Sequence, residues 1–138
     1  HMAVDSKEFA MVAARAIDDK KGSDIVIQDV SELLNVTDYF VIATGANNRR
    51  VDAIAEEVEE KLRETCDIKP ISREGLDEAE WVLLDYGSIV VHIFQPAARD
   101  FYRLEQLWEN APTVDVALAG IEDPVYTERI SKLLGRQG

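Results

Sequence analysis

The chain has 138 residues, 46% of them hydrophobic, which is enough for one domain to bury a core without metal or disulfide staples. Its 27 Asp and Glu against 15 Lys and Arg leave a formal charge of −12, which argues against a protein built to ride on nucleic-acid phosphate and suits a basic protein partner or plain solubility. One cysteine, Cys66, excludes an internal disulfide and fits a reducing compartment, and no apolar run is long enough to cross a bilayer.

His1-Met2 reads as an expression remnant, no signal-peptide pattern opens the chain, and His92 is then the one native histidine. From Asp5 to Lys21 the apolar residues Phe9, Val12, Ala13, Ala16 and Ile17 have the spacing of a helix face, with Ser6 as its expected cap and Gly22 as its stop. Asp24 to Val30 reads as a strand covered on both sides, because Ile25, Val26 and Ile27 are consecutive. Ser31 to Asn35 is a turn or a single helical turn. Asp38 to Thr44 is a second strand, and Asn47 or Asn48 caps the helix after it.

That helix turns Val51, Ile54, Ala55, Val58 and Leu62 inward and its glutamates outward, with Glu57–Lys61 and Glu59–Arg63 as expected four-residue pairs. Arg49 and Arg50 sit in its first turn, where a cation opposes the helix dipole, so an acidic neighbour or a partner is expected there. Ile68 to Arg73 reads as an edge strand. Next come two runs rich in β-branched and aromatic residues, Trp81 to Tyr86 and Ile89 to Phe94, about Gly87-Ser88. They predict a hairpin near the middle of a sheet. Alternation puts Trp81, Leu83 and Asp85 on one face of the first strand and Val82, Leu84 and Tyr86 on the other. Pro96 starts a helix whose stripe Phe101, Leu104, Leu107 and Trp108 is expected to pack on the sheet, and Asn110-Ala111-Pro112 ends it. Val114 and Val116 suggest an edge strand, and Pro124 to Leu134 a short helix on a mobile tail. Interleaved strands and helices make the class α/β or α+β, with helices packed on a mixed sheet.

Few residues offer chemistry. One native histidine and one cysteine give no zinc spacing, and Thr44-Gly45-Ala46-Asn47 joins a strand to a helix amino terminus without the lysine of a P-loop. Asp85 and His92 read as approximate cross-strand neighbours with no nucleophile beside them. His92 is therefore expected to be a partly buried histidine bonded to Asp85 or to backbone, not a catalytic base. The aromatic residues say more. If Trp81 and Tyr86 emerge at the hairpin's ends, rimmed by Asp85, Glu78 and Glu80, they form a footprint aimed at a basic protein.

Four blocks carry a resemblance: Thr37-Asp38-Tyr39-Phe40 running on to Gly45-Ala46-Asn47-Asn48-Arg49; Arg73-Glu74-Gly75; Trp81 through Phe94; and Arg99-Asp100-Phe101-Tyr102-Arg103-Leu104-Glu105-Gln106-Leu107-Trp108. In order and spacing they resemble the ribosomal silencing factor family, also called Iojap-like, over about residues 5 to 117. The resemblance implies a single α/β domain over residues 3–117, with a mixed β-sheet flanked by helices in a nucleotidyltransferase-like fold. Residues 118–138 are then a C-terminal extension. It implies a cytoplasmic factor that binds the large ribosomal subunit through its ribosomal protein fourteen and blocks subunit joining by occlusion, with little direct nucleic-acid contact and a homodimer when free. Neither catalysis, metal nor cofactor is expected, because the paired aspartates of the fold's enzymes are missing after Gly45-Ala46. Carried onto this chain, the partner-binding residues are Trp81, Leu83, Asp85, Tyr86, Gly87, His92 and Phe94, with Tyr102 and Trp108 packing behind them. The rival readings are a nucleotidyltransferase-like enzyme holding a nucleotide near Gly45 and Asn47, and a bare dimerisation module.

Overall fold

The computed structural model describes residues 5–135, so the expected remnant His1-Met2, the first residues of the expected domain and the end of the extension lie outside the described residues. The two strands richest in apolar residues take the centre. β2 (Tyr39–Thr44) and β5 (Ile89–Phe94) pair in parallel, Phe40 opposite Val90 and Ile42 opposite His92, within a six-stranded sheet of order β3-β4-β5-β2-β1-β6. β1 (Ser23–Asp29), β4 (Trp81–Asp85), the edge strand β3 (Ser72–Glu74) and the two-residue β6 (Thr113–Val114) add antiparallel around that pair. A parallel pair needs a long crossover. Here it consists of α2 (Asn48–Cys66), β3 and β4.

Alternation along the strands divides the core in two. Val41, Ala43, Val82, Leu84, Val91 and Ile93 face α2 and α1 (Ser6–Asp19), which contribute Ala13, Ile17, Val51, Ile54, Val58 and Leu62, all fully buried. Phe40, Ile42, Val90 and Phe94 face the other way, against Leu34, Ala98, Leu104, Trp108 and Ala111. This second face has the thinner cover: α3 (Pro96–Tyr102), the single turn α4 (Leu104–Leu107) and loops.

Most elements lie where the residue pattern puts them, and the departures have local causes. Asn47 caps α2, its side-chain oxygen accepting from the Arg50 amide at 2.9 Å. At α1 the capping position belongs to Asp5, without a side-chain bond, and Ser6 is instead a buried first residue. Gly22 helps end that helix: Lys21 takes the left-handed turn (φ 63°) and the Gly22 amide closes on the Ile17 carbonyl at 2.9 Å. It lies where a Cβ would come 2.3 Å from the Ile17 side chain. Among the described residues Arg50 has no acidic partner; its guanidinium donates to the Lys20 carbonyl at 3.2 Å, tying the start of α2 to the end of α1. The charge pairs on α2 also differ. Arg63 takes Glu60 at 2.9 Å and Lys61 turns to Glu64 at 3.7 Å, while Glu59 leaves the helix to bind both Nε and Nη2 of Arg73 on β3. The flat guanidinium fork grips two carboxylate oxygens at once, which a pair along one helix does less well.

The expected continuous helix after Pro96 breaks at Arg103, which is left-handed (φ 49°, ψ 48°) and donates from Nε to the Asp100 carbonyl at 2.9 Å. The break destroys the four-residue stripe. Leu104 and Trp108 pack on the sheet, but Phe101 and Leu107 are 78% and 75% exposed. Val116 belongs to a 3₁₀ turn (Val116–Ala119) capped by Asp115, not to the edge strand. Beyond it the chain returns along β1: the Asp24 amide donates to the Val125 carbonyl, and the Tyr126 hydroxyl to that of Ile25. α5 (Glu128–Gly135) then buries Ile130 and Leu133. The expected short helix is present and anchored.

Candidate functional site

β4 and β5 carry the site. Trp81 pairs with Phe94, Leu83 with His92 and Asp85 with Val90, all on the thinly covered face. Asp85 and His92 are therefore diagonal and unbonded. Asp85 accepts the Gly87 amide at 2.8 Å, shaping a turn in which Gly87 is left-handed (φ 83°). His92 accepts the indole Nε1–H of Trp81 on its Nδ1 at 3.1 Å, correcting the expected bond to Asp85 or to backbone. Accepting on Nδ1 leaves the ring's proton on Nε2, which has no hydrogen-bond partner among the described residues. Burial, helped by the positive charge of Arg99, pulls the His92 pKa down to about 3, so the ring is neutral.

The Trp81 indole is half-buried between rings, stacked on Phe94 with centroids 4.8 Å apart and tilted against Tyr102 at 4.8 Å. Phe101 stands edge-on to Tyr102 at 4.9 Å. Together with Leu76, the rings of Trp81, Phe101 and Tyr102 wall a cleft of about 830 Å³ between α3 and the loop entering β4, and Asp77, Glu78 and Glu80 line its mouth with Arg73. The loop is firmly built. Gly75 takes φ 82°, its carbonyl accepts the Ala79 amide, and Gln95 holds the Ala79 carbonyl at 3.0 Å.

The seven expected contact residues divide by depth. Trp81, Leu83, Asp85 and Gly87 reach the surface in part. Phe94 is fully buried, and His92 and Tyr86 are 5% and 8% exposed. Tyr86 also points into the α1–α2 core, where burial raises its hydroxyl pKa, so it forms no patch with Trp81. Odd and even positions of a strand face opposite ways. Asp85 lies at the turn end of β4, away from the cleft, while Glu78 and Glu80 are on its rim. Tyr102 is more exposed than expected, at 49%, and Phe101, expected to pack on the sheet, stands in the cleft wall instead, because nothing in the sequence marks Arg103 as a helix break.

Behind the cleft lies a buried ion network. Arg99 donates from Nε to Glu105 and from Nη1 to Thr44, both at 2.9 Å, and Arg129 of α5 binds the other Glu105 oxygen. Burial alone would raise the Glu105 pKa, but the two guanidiniums outweigh it and hold the carboxyl below its usual range. Gly45 and Asn47, the rival nucleotide position, have structural work. A Cβ at Gly45 would come 2.9 Å from Val51, and Asn47 is the α2 cap. Among the described residues no group of three or more His, Cys, Asp or Glu is placed to hold a metal ion, and no helix is long and apolar enough to cross a membrane.

Known proteins share this architecture. The family described as "Ribosomal silencing factor during starvation" matches residues 3–132, reaching into α5 beyond the resemblance seen in the sequence. The ribosomal silencing factor RsfS of Bacillus subtilis is 41% identical over 113 residues, 82% of this chain and 95% of that protein. RsfS of Chromobacterium violaceum is 41% identical over 102 residues, 74% of this chain and 83% of its own length. A crystal structure of a C. violaceum protein superposes with a TM-score of 0.73 at 35% identity, covering 90% of this chain and 93% of that one. With a family match that runs through nearly every element of the fold, the chain belongs to the ribosomal silencing factor family.

Proposed function

We propose that this protein represses translation by occlusion: it docks on the large ribosomal subunit through that subunit's ribosomal protein fourteen and keeps the small subunit from joining. The observation that carries the reading is the cleft beside β4, where exposed aromatic rings stand behind three carboxylates in a chain of net charge −12. Rings that lose water on contact supply most of the hold at such a surface, and an acidic rim speeds encounter with a basic partner. Family membership supports the ribosome as the target. The contact set we favour is Trp81, Leu83, Phe101 and Tyr102 with the acidic mouth; Phe94 and His92 support it from below, and Tyr86 belongs to the core of the opposite face. The protein works in the cytoplasm and dimerises when free. Docking makes and breaks no covalent bond.

Sedimentation of purified large subunits with the protein, before and after adding small subunits, tests this directly. Cosedimentation with large subunits and a fall in joined ribosomes are expected. Unchanged joining at saturating protein overturns the proposal. Trp81→Ala is expected to weaken large-subunit binding by about 2 kcal/mol. Tyr86→Ala is expected to lower thermal stability and to leave the affinity of the folded fraction unchanged.

A further inference from the structure

We infer that His92 is a positioning residue for the docking surface: its Nδ1 fixes the Trp81 indole in the orientation that walls the cleft. The inference rests on the docking role proposed for Trp81. His92 is 5% exposed at the centre of the sheet, too deep to touch a partner. An imidazole is a poor choice for that place. Its Nε2–H is buried with no hydrogen-bond partner among the described residues, a state that destabilises a fold and that leucine would avoid. The hydrogen bond it does make runs to Trp81, at 3.1 Å.

Ring contacts alone do not settle how the indole lies. Phe94 stacks on one side and Tyr102 leans on it at 4.8 Å, and both present π surface to either orientation of the ring. Rotation about the second side-chain torsion would exchange the Nε1 edge for a carbon edge and change the wall of the cleft. A neutral Nδ1 acceptor beneath the ring selects one orientation. A surface fixed before contact keeps its ordering cost out of the binding step. In the parallel ladder His92 lies opposite Ile42, and the Phe40 ring meets it edge-on at 5.0 Å, so the acceptor is itself held in place.

The first measurement needs no variant: a ¹⁵N–¹⁵N coupling across the hydrogen bond between the Trp81 Nε1 and His92 Nδ1 nitrogens, recorded on the intact protein. Its presence is expected; its absence overturns the inference. Two variants then separate orientation from packing. His92→Leu fills the space without an acceptor, and His92→Asn returns an acceptor near Nδ1. We expect His92→Leu to match or exceed the parent's thermal stability, to shift the Trp81 indole N–H resonance upfield with faster exchange, and to bind large subunits about three- to tenfold more weakly. His92→Asn should recover most of the shift and of the affinity. Equal loss of binding in both variants, or parental binding in His92→Leu despite the shifted resonance, would refute the positioning role. Parental binding by Trp81→Ala in the same assay would instead refute the docking role, and the coupling and the resonance would still decide whether His92 orients the ring.

Discussion

Gly75 and His92 show how single atoms set the site. At Gly75 the backbone is left-handed and the α-hydrogen faces the next strand, so a Cβ would lie 2.0 Å from the Trp81 carbonyl oxygen. That neighbour is backbone and has nowhere to go. Gly75→Ala is therefore expected to destabilise the fold by about 3 kcal/mol or more, read as a lowered urea midpoint, and to disturb the cleft beside it. His92 controls a pH effect. Folded, it titrates near 3; unfolded, it takes the ordinary histidine value near 6.5. Between those values the unfolded chain binds the extra proton, so stability falls as pH drops below about 6.5, at up to about 1.4 kcal/mol per unit. Carboxylates do not titrate in an unfolded chain until nearer pH 4 to 5, so from pH 6.5 to 5 the side chains that take up protons in the unfolded chain are its two histidines, His1 and His92, and a variant that keeps His1 separates them. Urea denaturation across that interval should show the slope in the parent, and His92→Leu should abolish it; a slope retained in the variant would assign it elsewhere. Much at this scale is legible in the sequence. A two-residue turn centred between Gly87 and Ser88 already sets Leu83 opposite His92, and alternation already parts Trp81 from Tyr86. The Trp81–His92 bond is not legible, because it depends on rotamers.

Among the elements, the least predictable are those whose stability comes from elsewhere in the chain. Helix periodicity reveals α1 and α2 because each buries a continuous stripe. The α3–α4 break has no glycine to announce it; α5 is expected as a short helix, but its anchoring is not, since it is too short to hold alone. Both are fixed by Arg129, which contacts Glu105 and Gln106 in α4, Asp100 in α3, and the Arg99 carbonyl. The C-terminal helix thus braces the corner that exposes Phe101 and Tyr102. Arg129→Met keeps the stem and removes the charge, leaving Glu105 buried with Arg99 alone. Losing one partner of a buried pair costs about 3 kcal/mol. The variant should melt lower, and amide exchange should rise in Asp100–Leu107 and Glu128–Gly135 while α1 and α2 stay protected. Uniform loss of protection would mean that α5 is not a local brace. Acid should mimic the change. Because the folded Glu105 pKa is depressed, its contribution is complete above the unfolded value near 4.3 and is lost as pH falls through the folded one.

For the whole molecule, shape and charge both bear on the proposed partner. The α/β class, the central hairpin and the two-sided core follow from strands with apolar residues on both faces. Which face would be thinly covered does not, since that turns on the break at Arg103. Charge has a sharper consequence. A protein of −12 is attracted to an isolated basic ribosomal protein, but on the intact subunit it also meets the phosphate field of ribosomal RNA. Salt screens attraction and repulsion alike, and the screening length shrinks from about 10 Å at 0.1 M to about 3 Å at 1 M. With the isolated ribosomal protein fourteen the association rate should fall steadily as salt is raised. With whole large subunits the fall should be much shallower, because screening also removes the repulsion. Dissociation should depend little on salt in either case, since desolvated rings govern it. Stopped-flow association on both targets over a salt series checks this. Equal salt slopes would mean that ribosomal RNA is not felt during approach. A rate on the isolated protein that is indifferent to salt would remove the electrostatic part of the docking proposal altogether.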